Sequence, residues 1–364
     1  MDFGLSPEQS LLSTTVGRWA AGECPTSRVR RAVESVDGHD RELWRSLAAI
    51  GVTGLTIPEA HGGAGLEVLE LALVAEQLGR FCVPGPFLAH AMATTAIIAS
   101  GHADAATRWL VAAAAGEAVL GMALGEDVGM WEPASVTTTF RDGGLHGEKP
   151  LVAAADVADA IVVAARDETG PGLWLVERGA PQLTITPLAG NDGTRRVARV
   201  GFAGTPALRI ATGTAAAERA RDVGLVLLAA DAFGGAWRCL EMTRDYALTR
   251  EQFGQTIAHF QGVKHQLADL AARLAPACSL WWYAAHALDH IPERAARHAA
   301  LAKSHLTELF DDTARASIEL HGGIGFTWEY DLQLWFRRAL FDRAYLGEAR
   351  LQRERAADLA GWTA

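Results

Sequence analysis

One stretch of the sequence, residues 246–270, combines residue types that suit the binding of a phosphate. Arg250, Phe253 and Gly254 stand close together in it. A guanidinium group suits phosphate because its parallel N–H donors match two anionic oxygens. A glycine after an aromatic residue allows a turn with positive φ, or a close approach of the backbone to something bulky. The cluster therefore predicts a site for an anionic, partly aromatic ligand.

An amphipathic helix is predicted directly after this cluster and would position it. Apolar residues recur there at the three- and four-residue spacing that places them on one helix face: Phe260, Val263, Leu267 and Leu270. The N-terminus of such a helix has free backbone N–H groups and favours an anion. The predicted binding position is thus the approach to the helix.

The chain as a whole has the composition of an acidic globular protein. Its 364 residues are 49% hydrophobic and 21% charged, with a formal net charge of −10. This length predicts two or three domains. The negative charge disfavours nucleic acid and anionic membranes as partners. We expect neither a signal peptide nor a membrane-spanning helix, because no apolar run reaches the length that spanning requires.

The four cysteines are predicted to be reduced thiols of a cytoplasmic protein. Cys24, Cys82, Cys239 and Cys278 are far apart and show no C-x-x-C spacing. This pattern disfavours both metal ligation and a disulfide framework. We therefore expect no metal site.

Changes in periodicity divide the chain into three predicted domains. Residues 1–116 are predicted to be helical, residues 117–212 to form short strands between glycine-rich turns, and residues 213–364 to form long helices. The fold class is therefore mainly α with a central β domain, which we expect to be a small barrel or sandwich followed by a four-helix bundle. The predicted strands are Ala118–Leu124, Ala160–Ala165, Gly172–Val176 and Leu183–Thr186. The predicted bundle helices are residues 215–249, 258–289, 292–319 and 328–360.

The arginines near the C-terminus give a weaker signal. Arg337, Arg338 and Arg343 are close together in a predicted helix. We expect them to lie on a solvated helix face or in ion pairs between subunits. They are not part of the predicted site.

The chain resembles the acyl-CoA dehydrogenase flavoprotein family in four places. Arg250-x-x-Phe253-Gly254, followed by Phe260-Gln261, resembles the family's central signature. Three further segments match in order and spacing: residues 47–66 are similar to the N-terminal loop, 319–330 to the Gln-x-x-Gly-Gly-x-Gly motif and 334–339 to the arginine-rich helix. The resemblance implies an N-terminal helical domain, a middle β-barrel domain and a C-terminal four-helix bundle. It also implies FAD as the cofactor and an acyl-CoA thioester as the substrate.

The resemblance assigns the retained motifs to the coenzyme of a neighbouring subunit. In the family these motifs reach across a dimer interface and hold the pyrophosphate and adenosine of the partner's FAD. The implied cofactor-binding residues are Arg250, Phe253, Phe260, Gln261, Glu319, Gly322 and Gly323. Glu319 stands where the family has glutamine, so an acceptor is kept and a donor is lost.

The resemblance also implies which parts of an active site are missing. The family's base for the α-proton is a glutamate at one of two positions, which align with Leu346 and Gly224. The turn at Gly125–Met130 lacks the family's Ser-Asp pair. Ala153 stands where the family has a threonine that covers and hydrogen-bonds the flavin ring. No catalytic residue is therefore assigned.

Three interpretations are open at this point. The favoured one is the base-lacking subunit of a bacterial heterotetrameric acyl-CoA dehydrogenase of the steroid side-chain type, which completes the FAD site of a homologous catalytic subunit. An alternative is an active homo-oligomer, a dimer or tetramer, that uses a different carboxylate such as Glu348 or Asp342. The second alternative is a scaffold or regulatory subunit that holds no flavin.

Overall fold

The first third of the chain is helical, as predicted. The structure is a computed structural model, and it describes residues 4–35, 38–127, 129 and 131–362. Ser6 and Gln9 form a capping box at the start of the first helix, and Asp40 caps the third by accepting the Leu43 N–H. Two 3₁₀ turns, Val52–Gly54 and Glu59–His61, lie in the glycine-rich loop. The helices are α1 (Pro7–Glu23), α2 (Thr26–Glu34), α3 (Arg41–Ala49), α4 (Val68–Arg80), α5 (Phe87–Ser100), α6 (Ala103–Ala105) and α7 (Val111–Ala114), with a π-helical turn (Ala106–Leu110) between the last two.

The middle of the chain forms an eight-stranded sheet. The strands are β1 (Leu120–Ala123), β2 (Thr139–Arg141), β3 (Gly144–Ala153), β4 (Ala160–Asp167), β5 (Gly170–Glu177), β6 (Leu183–Pro187), β7 (Val197–Thr205) and β8 (Leu208–Thr212). Their order is β6-β7-β3-β2-β4-β5-β8, and β1 pairs in parallel with β4. The four predicted strands are β1, β4, β5 and β6, so the sequence pattern missed the other four.

Both faces of the middle of this sheet are buried. On one face, Ile161, Val163 and Trp174 belong to a core that the sheet encloses by itself. On the other face, Val162 and Leu173 pack into the large core that the helices form. Burial on both sides explains why β4 is a nearly continuous apolar run rather than an alternating one.

The last third of the chain is helical again, with more breaks than predicted. A short hairpin, β9 (Glu251–Gln252) and β10 (Gln255–Thr256), follows the first of these helices. The predicted helix 258–289 is interrupted at residues 275–277, around Pro276, and the predicted helix 328–360 is interrupted at residues 345–348, where Leu346 and Gly347 have φ of 59° and 96°. The helices are α8 (Ala215–Thr249), α9 (Gln261–Leu274), α10 (Cys278–His290), α11 (Pro292–His321), α12 (Leu332–Ala344) and α13 (Ala349–Asp358).

Helix α8 is the central element of the fold. It packs most extensively against α11 and α4. Two glycines allow the close crossing with α4, because an added Cβ on Gly79 would lie 2.0 Å from the Asp231 carbonyl oxygen and one on Gly234 would lie 1.9 Å from that of Glu76. By length and composition α8 could cross a membrane, which the sequence pattern did not predict, but 89% of its most apolar window is buried inside the protein. It is therefore the core helix of this fold.

The predicted fold class, mainly α with a central β domain, is confirmed. All four cysteines are free, and only Cys278 is partly accessible. Within the described residues, no group of three or more His, Cys, Asp or Glu side chains could hold a metal ion. The domain limits at residues 116 and 212 stay a prediction.

Candidate functional site

Arg250 lies at the end of α8, where the chain turns into the β9–β10 hairpin. Gln252 pairs with Gln255, and the two residues between them, Phe253 and Gly254, have φ of 55° and 78°. Two positive φ values are those of a type I′ turn, which favours Asn-Gly and strains a phenylalanine. The Phe253 side chain is 92% exposed at this tip. The strained backbone and the exposure of Phe253 make its side chain available for contact with another molecule.

The glycine-rich turn after α11 lies at the same end of the bundle. Tyr246, one turn before Arg250, stacks on His321 with ring centroids 4.3 Å apart and donates its hydroxyl to the His321 carbonyl at 3.3 Å. Gly322 follows His321 directly with φ of 64° and donates its N–H to the Glu319 carbonyl. The Tyr246–His321 contact therefore fixes the arginine hairpin relative to the glycine turn.

The remaining predicted cofactor residues lie at the start of α9 and the end of α11. Phe260 precedes Gln261, the first residue of α9, and meets Phe253 edge to face at 6.1 Å between ring centroids. Its apolar side chain cannot cap the first N–H groups of α9, which stay available to an anion. Arg250, Gln261, Glu319, Gly322 and Gly323 are all exposed. The seven predicted residues thus form an open edge of the molecule, which we call the hairpin edge, rather than a pocket.

The two positions that align with the family's alternative bases meet in the interior. An added Cβ on Gly224 would lie 2.8 Å from Leu346 Cδ1 and 2.7 Å from Met92 Sδ. Leu346 is fully buried and has φ of 59°. The two aligned positions, one in α8 and one after α12, therefore lie side by side at one point. The atoms nearest to that point in the described part of the chain belong to the apolar side chains of Met92 and Leu346, which cannot act as a base.

The space beside this point is filled by side chains that the sequence pattern did not identify. Trp131 is 3% exposed, and its ring lies 2.7 Å from where a Cβ on Gly125 would stand. It contacts Tyr345 edge to face with ring centroids 5.1 Å apart. The Tyr345 hydroxyl accepts the Ala153 N–H at 3.4 Å, and burial raises its pKa to about 12. Trp131 and Tyr345 thus occupy the region between the predicted ring-binding residues and the predicted base positions.

The turn that would hold the flavin ring contains a buried ion pair instead. Glu126 accepts N–H groups from Thr137 and Thr138 and the Lys149 ammonium group, the last at 2.8 Å. Burial opposes ionisation of both partners, so the pKa of Lys149 falls to about 8, but Lys149 and the other donors lower the pKa of Glu126 to about 2. The pair is therefore charged at neutral pH. Val128 and Met130 of the predicted turn lie outside the described residues.

The two carboxylates considered as alternative bases differ in their surroundings. Glu348 is exposed at the N-cap of α13. Asp342 is fully buried, and burial followed by the Asp231 carboxylate raises its pKa well above the ordinary value, whereas Arg338 and Arg195 lower it. Burial beside Asp231 therefore favours the protonated form of Asp342 in the folded protein.

Replacing Asp342 with Asn is expected to stabilise the protein at neutral pH. Because the pKa of Asp342 is raised in the folded protein above its value in the unfolded chain, stability falls as pH rises between the two values, by at most about 1.4 kcal/mol per pH unit. Asn has nearly the same shape and does not titrate, so it does not carry this cost. Urea unfolding at several pH values should show a difference between variant and wild type that grows with pH. A difference independent of pH would contradict this protonation state.

Comparison with known proteins gives matches along almost the whole chain. The model of the acyl-CoA dehydrogenase N-terminal domain matches residues 6–117, and that of the C-terminal domain matches residues 211–360. Acyl-CoA dehydrogenase IpdE2 of Mycobacterium tuberculosis is 34% identical over 333 residues, which cover 91% of this chain and 91% of that protein.

Two solved structures have the same fold. The Tcur3481–Tcur3483 steroid ACAD matches with a TM-score of 0.88 at 29% identity, covering 97% of this chain and 98% of that chain. The ChsE4–ChsE5 complex from Mycobacterium tuberculosis matches with a TM-score of 0.90 at 27% identity, covering 100% of both chains. The predicted cofactor, FAD, is that of the family to which these matches point. The chain belongs to the acyl-CoA dehydrogenase family.

Proposed function

We propose that this chain is the base-lacking subunit of a heteromeric acyl-CoA dehydrogenase. It would complete the FAD site of a homologous catalytic subunit, which carries out the α,β-dehydrogenation of an acyl-CoA thioester. One observation carries the proposal: both base positions, Gly224 and Leu346, are apolar and buried against each other. The hairpin edge, in contrast, keeps its predicted residues and exposes them.

The residues of the hairpin edge fit the phosphate end of FAD. Arg250 is exposed and supplies the donors that a pyrophosphate needs. The start of α9 adds free N–H groups, and Gly322 and Gly323 leave room for a close approach of the ligand to the backbone. Glu319 would bring a negative charge to this site, so we expect a cation of the partner subunit beside it.

The residues around this chain's own ring site fit FAD poorly. Bound FAD would accept the β-hydride of the substrate, while a protein carboxylate removes the α-proton. Leu346 and Gly224 cannot remove a proton, and the interior that they share is closed by Met92. The chain would therefore contribute binding and orientation, whereas the partner subunit would contribute the base.

The comparisons support a paired assembly and a class of substrate. Two of the matched structures are named as pairs of chains, ChsE4–ChsE5 and Tcur3481–Tcur3483, and the second is named a steroid ACAD. By analogy, we place this chain in a cytoplasmic heterotetramer that acts on a steroid side-chain acyl-CoA. This step rests on similarity alone.

Co-expression with a homologous subunit that has the glutamate base tests the proposal. The complex should be yellow, contain one flavin per heterodimer and oxidise acyl-CoA, whereas this chain purified alone should do neither. If the chain alone carried stoichiometric FAD and oxidised acyl-CoA, it would be an active homo-oligomer. A complex without flavin would instead indicate a scaffold or regulatory subunit. Either result would overturn the proposal.

A further inference from the structure

We infer that Trp131 is the residue that keeps a flavin out of this chain's own ring site. Its indole would take the space of the coenzyme ring, so that a pair of subunits holds one flavin instead of two. This inference rests on the proposed function. The packing of Trp131, from which it is argued, does not depend on that function. The number of flavins in the complex would then have two causes: the indole fills the ring site, and the residues that would bond to the flavin ring are missing.

The position of the indole supports this inference. Trp131 lies against Gly125, where an added Cβ would come within 2.7 Å of the ring, and close to Gly347, where an added Cβ would lie 3.5 Å from it. Tyr345 contacts the indole on another side and bonds to Ala153. The three segments that would surround a flavin ring therefore surround the indole, and two ring systems cannot share this volume.

Neighbouring ion pairs hold Trp131 in this position. The next residue, Glu132, pairs with Arg221 of α8 and lies 3.4 Å from Arg355 of α13. Both arginines also bond to Asp222, at 3.0 and 2.8 Å. On the other side of Trp131, Glu126 is fixed by Lys149. Ion pairs therefore hold Glu126 and Glu132, one on each side of Trp131 in the sequence.

An aromatic stack completes the filling of the site. Phe341 of α12 stacks on Tyr345 with ring centroids 5.0 Å apart and an interplanar angle of 16°, and Tyr345 in turn meets Trp131. Ring pairs in such arrangements stabilise the fold by more than the burial of their apolar area alone. Removal of the indole would leave a space beside the ring of Tyr345, and an apolar space next to an aromatic ring suits a planar ligand.

The experiment compares two variants that each remove a buried indole. Trp131→Ala opens the proposed ring site, whereas Trp174→Ala opens a cavity in the sheet core, where Trp174 is fully buried against Phe140. The probes are indole, which matches the removed group, and lumiflavin, which is the coenzyme ring without the ribityl phosphate chain. Binding is measured by the rise in melting temperature and by equilibrium dialysis.

We expect Trp131→Ala to bind both indole and lumiflavin, and the wild type and Trp174→Ala to bind no lumiflavin. If Trp131→Ala takes up neither probe, or takes up indole and excludes lumiflavin, the inference is wrong. Because the isolated chain is used, these outcomes are separate from the failure of the proposed function, which appears as a flavin-free complex or an active single chain.

A second variant covers the case in which Trp131→Ala does not fold. Trp131→Phe keeps an aromatic ring and removes one fluorophore. The emission lost from wild type to Trp131→Phe should be blue-shifted and resistant to quenching by acrylamide, because Trp131 is 3% exposed. Loss of a red-shifted, quenchable emission would show an indole in water and would overturn the inference.

Discussion

Replacing Arg338 with Met is expected to lower the free energy of unfolding by about 3–5 kcal/mol, the usual cost of removing one partner from a buried ion pair. Arg338 is fully buried. It lies 3.1 Å from both carboxylate oxygens of Asp231 and 2.9 Å from Asp192, and it donates to the Val83 carbonyl at 3.0 Å. Methionine would fill the volume but could not donate to any of these acceptors, so of the two arginine donors Asp231 and Val83 would keep only Arg195.

The loss should be large because the same cluster joins distant parts of the chain. Asp231 belongs to α8, Arg338 to α12, and Asp192 to the loop before β7, while Arg195 from that loop also bonds to Asp231 at 2.8 Å. Without Arg338, the cation left on Asp231 is Arg195, whose own pKa is lowered by burial and by Arg338.

Arg337→Met is the matched control for this prediction. Arg337 lies over the Trp328 ring at 4.7 Å and donates to the Asn191 carbonyl at 3.2 Å in an exposed position. Such contacts contribute about 0.5–1 kcal/mol. Urea unfolding followed by circular dichroism measures both variants. If both variants lost a similar free energy of unfolding, the buried cluster would contribute no more to stability than the exposed contacts of Arg337.

Arg338 also shows where sequence patterns stop being informative. We expected Arg337, Arg338 and Arg343 on a solvated face or between subunits, which is wrong for Arg338 because it is buried within this chain. A charge can be buried when its partners converge on it, and those partners come from positions 192 and 231. Nothing in the sequence near Arg338 indicates them.

The strands that were missed have two different causes. In β7, Ala198, Val200 and Phe202 face the sheet core at alternate positions, so a search for period two would have identified it. In β3, Gly147 has φ of 135° and the pairing shifts between Lys149 and Val152, so the strand has no regular pattern to find. The helix break at Pro276 could have been predicted from the proline alone.

The candidate site also has one part that the sequence could predict and one part that it could not. The base positions could be aligned because Arg250 and Tyr345 anchor motifs of fixed spacing, and the structure brings Gly224 and Leu346 together. Trp131 could not be found in this way, because its position depends on Arg221 and Arg355, which are far away in sequence. The roles of the residues of the hairpin edge stay predictions.

Replacing Arg250 with Gln is expected to weaken flavin binding to the heteromeric complex by about 10- to 100-fold, because a hydrogen bond to a charged group contributes about 1.5–3 kcal/mol. Arg250 is exposed at the C-cap of α8, so its replacement should leave the fold intact. Titration of the flavin-free complex with FAD measures the dissociation constant. The melting temperature of this chain alone should stay the same.

Two further variants separate a specific phosphate contact from a general effect of charge. Arg244→Gln makes the same change on the same helix, at an exposed arginine that pairs with Asp245 at 2.7 Å, and should bind FAD as the wild type does. Arg250→Lys keeps the charge but loses the two parallel donors, so its affinity should lie between those of the wild type and Arg250→Gln. Equal losses for Arg244→Gln and Arg250→Gln would indicate long-range attraction instead. In that case the hairpin edge would lie near the coenzyme without holding its pyrophosphate, and the strain at Phe253 would have to be explained by contact with the partner protein alone.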